Sequence, residues 1–298
     1  SASAIVTEEA VAACMADPTS RKPTRLLFNA FRFGNLSTIS DDMFKMQVGE
    51  YDPLLGMGYG ELAGISRSLH KSQGAGTPQT PGVQPEHFKT LIGTAPQKSL
   101  FDGIDTTWQR VGRADIGRDI DALIEAFDMR NPAQSVDALM RIRAKIRTVA
   151  DTYWRGQKLR EIDAVLLGCL GVTTDVTTPT PIARAGDSIA STLRITTPAA
   201  RTIKLASVTS PDGTVRTAVA CPHDSLVTLQ VPTSIPLTAP VSEPYWLTTN
   251  ARNAFFTLND ERLLGQAVTP PTLPVVLRLT VGTDTIETSI PLSTKKLD

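Results

Sequence analysis

The sequence is poor in the residues that bind metals and cross-link chains. Three cysteines, Cys14, Cys169 and Cys221, stand far apart in 298 residues without a CxxC spacing. That excludes a disulfide framework and a zinc knuckle, and leaves three small thiols expected to be buried. Histidine is as scarce: His70, His87 and His223 are 17 and 136 positions apart, and no HxH, HxxH, HExxH or His-Pro-Asp-Asp string occurs. A metal shell complete within this chain is not expected. Neither sign of charge is in excess, with 30 basic and 30 acidic side chains. The footprint of a protein that binds a nucleic-acid backbone or an anionic membrane is therefore missing. Aromatics are few and no apolar run reaches bilayer length, so no transmembrane segment is expected. The opening SASAIVTEEA has neither the basic nor the apolar region of a signal peptide. No GxSxG string or Cys/His pairing supports a nucleophilic triad, and Gly56-Met57-Gly58-Tyr59-Gly60 does not follow a buried strand as a dinucleotide fingerprint would.

What is present divides the chain in two. A length near 300 favours two domains, and the composition changes at Gly171, with 25 threonines after it and 12 before. Threonine favours strands. The expected fold is α+β: a mainly helical region over 1–171, then an antiparallel β-sandwich of immunoglobulin-like type over 172–298. In the first region helices are expected at Thr7–Met15, at Gly60–Lys71 with Leu62, Ile65 and Leu69 on one face and Arg67 and Lys71 on another, and from Pro85 to Leu91. Asp115–Phe127 carries a stripe of Ile116, Ile120, Leu123, Ile124 and Phe127. A long helix capped by Ser135 buries Val136, Leu139, Ile142, Ile146, Val149 and Tyr153 and keeps Arg141, Arg143, Lys145 and Arg147 outside. A last helix, Leu159–Leu170, buries Ile162, Val165, Leu166 and Cys169 and stops at Gly171. These last three should pack as a small bundle. The Gly/Pro-rich segment Gly74–Gly82 reads as a solvated loop, with a ligand-approaching loop as the sharper alternative. In the second region strands are expected at Ile189–Thr196, Thr202–Val208, Thr214–Ala220, Ser225–Val231, Pro274–Val281 and Thr285–Leu292.

Three segments carry candidate chemistry. Ser66-Arg67-Ser68-Leu69-His70-Lys71-Ser72-Gln73-Gly74 concentrates donors suited to carboxylates, phosphates or sugar hydroxyls. Taken alone, the segment reads more readily as a solvated helix end capped by Gly74, with its cations complementing the helix dipole. In LFDGIDTTW, Asp102 and Asp105 offer a carboxylate pair, or Asp105 caps the turn from Thr106 to Val111. In Glu243–Leu247, Tyr245 and Trp246 offer a sugar-stacking surface, or one of them belongs to a core.

The strings RLLFN, GEYDP with Leu55-Gly56, YGELA running into SRSLHKSQG, and LFDGIDTTW closely resemble, in this order, the region after the catalytic core of multidomain PIG-L/LmbE-type deacetylases. SEPYWL, LNDERLLG and Pro270-Pro271 are similar to the β module appended to them. The resemblance spans nearly the whole chain. It implies a parent zinc amidohydrolase acting on N-acetylglucosamine-type substrates. There a His-Pro-Asp-Asp type motif and a later histidine hold the metal, an aspartate of that motif is the base, and metal-bound water is the nucleophile. None of those motif residues is here, and the chain reads as beginning just downstream of the zinc site. Catalytic residues and metal ligands are thus expected to be none in this chain, with zinc in an upstream core on the same or a separate chain. Arg67, His70, Lys71, Ser72, Gln73 and Asp105 are the expected substrate-side residues. The implied role is an accessory portion that shapes the substrate cleft. The rival is a noncatalytic carbohydrate-binding or cell-envelope interaction protein. Expected partners are an N-acetylated sugar or glycoconjugate and the catalytic core, with no nucleic acid; the bacterial envelope or exterior is the expected setting.

Overall fold

The computed structural model describes residues 2–20, 22–73, 76–249 and 255–294. The fold is α+β, in two compact units, 1–106 and 107–298.

The first unit begins with α1 (Ala2–Ala16), which buries none of its residues. Then follow β1 (Leu26–Ala30), β2 (Arg32–Phe33), β3 (Leu36–Ser37), β4 (Phe44–Gln47), β5 (Tyr51–Asp52), β6 (Met57–Gly58), α2 (Tyr59–Ser68) and β7 (Pro85–Ile92). The helix expected over 85–91 is therefore a strand. β7 is the centre of an antiparallel sheet ordered β1-β7-β4. The sequence PEHFKTLI satisfies both periods, since Pro85 suits a helix start while Phe88, Thr90 and Ile92 alternate. Two partners that each supply a ladder of hydrogen bonds decide for the strand. The register sets Phe88 between Asn29 and Phe44, on a face that also carries Leu27 and Met46. Ala30 is the only buried hydrophobic residue among the described residues of this unit.

The second unit opens with α3 (Ala114–Glu125), α4 (Val136–Ile146) and α5 (Thr152–Cys169). α4 packs between the other two, as a bundle should. The single long helix expected through Tyr153 is interrupted. Asp151 accepts a hydrogen bond from the Trp154 N–H at 3.1 Å and starts α5 afresh. Gly171, at φ 65°, ends it in the left-handed region that glycine enters without strain. Several side chains depart from the expected pattern. Ile124, Phe127, Tyr153 and Val165 are exposed, whereas Arg143, expected outside, is 5% exposed. It pairs with Asp163 at 2.5 Å and with Asp284 at 3.6 Å, and it donates to the carbonyl of Thr285.

After Gly171 come β8 (Thr173–Thr178), β9 (Ser188–Ile189), β10 (Thr192–Thr196), β11 (Ile203–Thr209), β12 (Val215–Cys221), β13 (Leu226–Gln230), β14 (Thr233–Ser234), β15 (Pro274–Val281) and β16 (Asp284–Thr294). Seven of them form a sheet ordered β12-β11-β15-β16-β8-β10-β13. The sheet is mixed, not purely antiparallel as expected. β16 pairs antiparallel with β15 over 284–291, then parallel with β8 over 292–294. The two end strands, β12 and β13, are consecutive and joined by four residues. A flat sheet would hold them about 29 Å apart at ~4.8 Å per strand, while the connection spans at most about 18 Å. The sheet therefore curls into a nearly barrel-like form. Its inner residues Val176, Leu193, Ile195, Leu205, Leu277, Leu279 and Ile286 share one core with Ile116, Ile142 and Leu166 of the helices. The change of secondary-structure class at Gly171 lies inside this unit.

Candidate functional site

The hairpin that leads into α2 is held by its own side chains. The Asp52 carboxylate accepts from the Leu54 and Leu55 amides at 2.8 and 3.2 Å and from the Tyr59 hydroxyl at 2.6 Å. That hydroxyl, then the two amides, lowers the Asp52 pKa, and the carboxylate in turn raises that of Tyr59. Glu61 closes the start of the helix by accepting from the Gly58 amide at 2.8 Å. The string YDPLLGMGYGE is thus accounted for as a turn and a helix cap.

α2 packs through its glycines, and of the expected apolar face Ile65 is half-buried while Leu62 and Leu69 are exposed. Its buried residues are Gly60 and Gly64. A Cβ at Gly60 would lie 2.3 Å from the Thr80 carbonyl oxygen, and one at Gly64 would lie 2.4 Å from that of Pro78. The Gly/Pro-rich segment after the helix therefore rests its backbone along the glycine face. Ser68 adds a hydroxyl bond to the Thr77 carbonyl at 3.3 Å. Tyr59, Leu62 and Leu69, spaced to share one face, are exposed, Leu69 by 69%. Gly74 and Ala75, with the cap expected at Gly74, lie outside the described residues.

Beyond Ser66 the chain stays wound through bonds from the His70 amide to the Arg67 carbonyl and from the Gln73 amide to the His70 carbonyl. This keeps Arg67, His70, Lys71, Ser72 and Gln73 within about two turns, all exposed. Their donors are clustered at the end of a helix whose apolar face is also uncovered.

Arg25 and Asp102 build the other string. The Arg25 guanidinium donates to the carbonyls of Thr94, Leu100 and Asp102 at 2.6–2.7 Å. The Asp102 carboxylate accepts from the amides of Gln97, Lys98 and Ser99, which lower its pKa. Asp102 is a loop anchor rather than one member of a carboxylate pair. Asp105 is exposed, and the turn from Trp108 to Val111 is capped by Thr107, not by Asp105. Beside the β1-β7-β4 sheet is a cleft of about 580 Å³ lined by Asp42, Phe44, Phe88, Lys89, Thr90 and Gln97. The Thr90 hydroxyl is buried there without a hydrogen-bond partner among the described residues. Sequence reasoning missed the cleft because only the strand register brings Phe44 to Phe88.

In the second unit Tyr245–Leu247 is a 3-10 turn, not a strand, and the two rings meet edge to face at 5.0 Å. The Tyr245 hydroxyl is bound to the Gln266 carbonyl, which leaves the pair anchored rather than splayed for stacking. Among the three cysteines, all free, only Cys221 is buried. No cluster of three or more His, Cys, Asp or Glu suited to a metal ion occurs among the described residues. No helix among them is long and apolar enough to cross a membrane.

No family model and no curated protein matches the chain. Among solved structures it is similar to Spo0M, a sporulation control protein from Bacillus subtilis. The identity is 9% over 42% of this chain and 50% of that one, with a TM-score of 0.19. It is also similar to the alkylpurine DNA glycosylase AlkC of Pseudomonas fluorescens, bound to DNA containing an abasic site analog. There the identity is 9% over 54% of this chain and 46% of that one, with a TM-score of 0.20. The chain spans about half the length of each.

Proposed function

We propose that this chain is the accessory portion of a PIG-L-like deacetylase of N-acetylglucosamine type. In this reading residues 2–106 dock on a metal-bearing core and shape its substrate cleft. The observation that carries the proposal is the apolar surface of α2: glycines are turned inward, Ile65 is half-buried, and Tyr59, Leu62 and Leu69 are exposed. Exposed apolar residues aligned on a helix backed by its own loop mark a surface meant to be covered. The donor cluster Arg67, His70, Lys71, Ser72 and Gln73 follows that surface directly, so a partner seated on α2 receives these side chains at its margin. The cleft beside Phe44 and Phe88 has the volume of a small-ligand site and offers polar groups beside aromatic rings.

The residues described here do not assemble a zinc shell, so no step of amide hydrolysis is assigned to them. When bound in the core, zinc would supply a hydroxide nucleophile near neutral pH. This chain's contribution is binding and orientation: Arg67 and Lys71 as donors to anionic or carbonyl oxygens, Ser72 and Gln73 to hydroxyls. The same reading takes 172–298 as an immunoglobulin-like sandwich module, supported by the passage of β16 from β15 to β8, which joins two half-sheets.

The test is zinc analysis with an N-acetylglucosamine deacetylation assay, on this chain and on the polypeptide extended upstream. Activity is expected only in the extended protein. There, His70→Ala with Lys71→Ala should raise KM or lower turnover, and Leu62→Asp with Leu69→Asp should reduce activity by loosening the docked helix. Zinc and activity in this chain alone, or unchanged kinetics in both double variants, would overturn the proposal.

A further inference from the structure

β4 and β7 part before β7 ends, and the cleft of about 580 Å³ opens in the fork between them. β4 begins at Phe44, opposite Phe88, while β7 runs on to Ile92. Phe44 and Phe88 line the cleft from one face of the sheet, and Lys45 and Lys89 line it from the other. Side chains of both faces reach it, so it lies at the sheet edge and has the β7 main chain as a wall. The Val48 amide donates to the Gln84 carbonyl at 2.9 Å, and hydrogen-bonded pairs alternate along an antiparallel ladder. The pairs 46/86 and 44/88 are therefore the bonded ones, and the next N–H and C=O to face that side are those of Thr90. Asp42 is the position that would pair with Thr90, but β4 has not yet begun there, and among the described residues no main-chain bond reaches Thr90 from that side.

Past Thr90 the pairing with β1 shifts, Leu27 standing opposite Thr90 and Leu26 opposite Ile92. The fork thus offers the N–H and C=O of one residue, too short an edge for a peptide strand. The hydroxyl of the same residue is buried without a partner among the described residues. Around this wall the charges balance, with Asp41 and Asp42 against Lys45 and Lys89. The Ser40 hydroxyl, at 2.5 Å, and then the Lys89 charge hold the Asp42 carboxyl below its ordinary pKa, so it stands as an ionised acceptor. Balanced charge, an amide in Gln97 and two adjacent rings suit a neutral ligand that has hydroxyls and one apolar face.

We propose that the fork is a sugar site on this chain itself, in which the Thr90 main chain reads the acetamido nitrogen and the neighbouring hydroxyl of a 2-acetamido sugar. In such a sugar the array N2–C2–C3–O3 repeats the N–Cα–C–O array of a strand residue. Its N2–H donates to the Thr90 carbonyl, and O3 accepts from the Thr90 amide, as a further residue of β4 would. The other hydroxyls meet Asp42 and Gln97, and the apolar face of the ring lies on Phe44 and Phe88. The sugar class rests on the deacetylase reading above; the site and the groups it reads come from the fork.

Titration of the whole ¹⁵N-labelled chain with N-acetylglucosamine, followed by NMR, tests it. The Thr90 amide and the Gln97 side-chain amide should shift saturably. The 3-deoxy analogue and the N-methylacetamido analogue each lose one hydrogen bond and should bind roughly two- to tenfold more weakly. Glucose, which lacks the nitrogen, should bind no better than they do. Thr90→Pro deletes the outward N–H without touching the bonds to β1 or β4. It should weaken N-acetylglucosamine and leave the 3-deoxy analogue unchanged, with a wild-type circular dichroism spectrum; the ligand series decides without it. No saturable shift at Thr90, or equal affinity across the four sugars, overturns the proposal. Sugar binding here with no deacetylation by the polypeptide extended upstream keeps the site and overturns the deacetylase reading; activity there with no binding here overturns the site alone.

Discussion

Arg143 is the residue whose surroundings matter most to the second unit. Its guanidinium is buried where α4, α5 and the β15–β16 hairpin meet, held by Asp163 and Asp284. Asp284 has a second cation in Arg147 at 2.9 Å, whereas among the described residues Asp163 pairs with no cation but Arg143 and would be left uncompensated without it. Breaking a buried pair by removing one member costs about 3–5 kcal/mol, while replacing both by apolar residues of similar size is often neutral. Arg143→Ala should therefore lower the urea midpoint of the second unit by that amount of stability. Arg143→Met combined with Asp163→Leu should restore most of it. The sequence hides this role. Arg143 stands among Arg141, Lys145 and Arg147 on what reads as a solvated helix face, and one of its partners comes from 141 positions away. The sign of a side chain is visible in sequence, but whether a distant hairpin covers it is not.

At the scale of elements, strong local periods were legible and weak ones were not. Five of the six strands expected after Gly171 fall close to their places, because alternation, threonine content and turn residues agree there; the one expected over 189–196 is split into β9 and β10, and β8, beside β10 and β16, was not expected. α3 and the end of α5 were readable from their stripes and from Gly171. The Pro85 segment was misread because seven or eight residues satisfy either period, and the partners that decide are β1 and β4. α2 was placed correctly, but the face through which it packs was not legible. Its leucines suggest burial, yet the feature that sets its packing is the pair Gly60 and Gly64, one turn apart. This pair supplies the sharpest test at this scale. Alanine raises helix propensity by about 1 kcal/mol over glycine, so an uncontacted site would gain stability from Gly60→Ala or Gly64→Ala. Here the added methyl meets carbonyl oxygens of the following loop at 2.3–2.4 Å. Overpacking of this kind typically costs about 1–3 kcal/mol. Each variant should be less stable than wild type, with faster amide hydrogen exchange in 77–84 and α2; a net gain in stability would show that the loop does not rest on the helix.

At the scale of the molecule, the two units differ in what holds them. In 107–298 one continuous core joins three helices to a seven-stranded sheet, with many side chains fully removed from water. In 2–106 a three-stranded sheet and two helices bury one hydrophobic residue, Ala30, among those described, and rely on hydrogen-bonded turns built by Arg25, Asp52 and Asp102. Burial contributes about 25 cal/mol per Å² of apolar surface, while each such hydrogen bond nets only about 0.5–1.5 kcal/mol against water. A domain with this balance opens at low free energy, because local stability tracks buried apolar contact. Limited proteolysis of the whole chain should therefore cut first within 2–106 and leave a resistant fragment beginning near Thr107, with hydrogen exchange in β7 and α2 faster than in α4 and β15. The docking proposed for α2 adds a second arm. In the polypeptide extended upstream, the covered Leu62 and Leu69 should slow exchange in α2 and delay cleavage there, while the second unit behaves as before. Equal protection of both units in this chain alone would mean that the first unit needs no partner and would remove the physical basis for the docked reading.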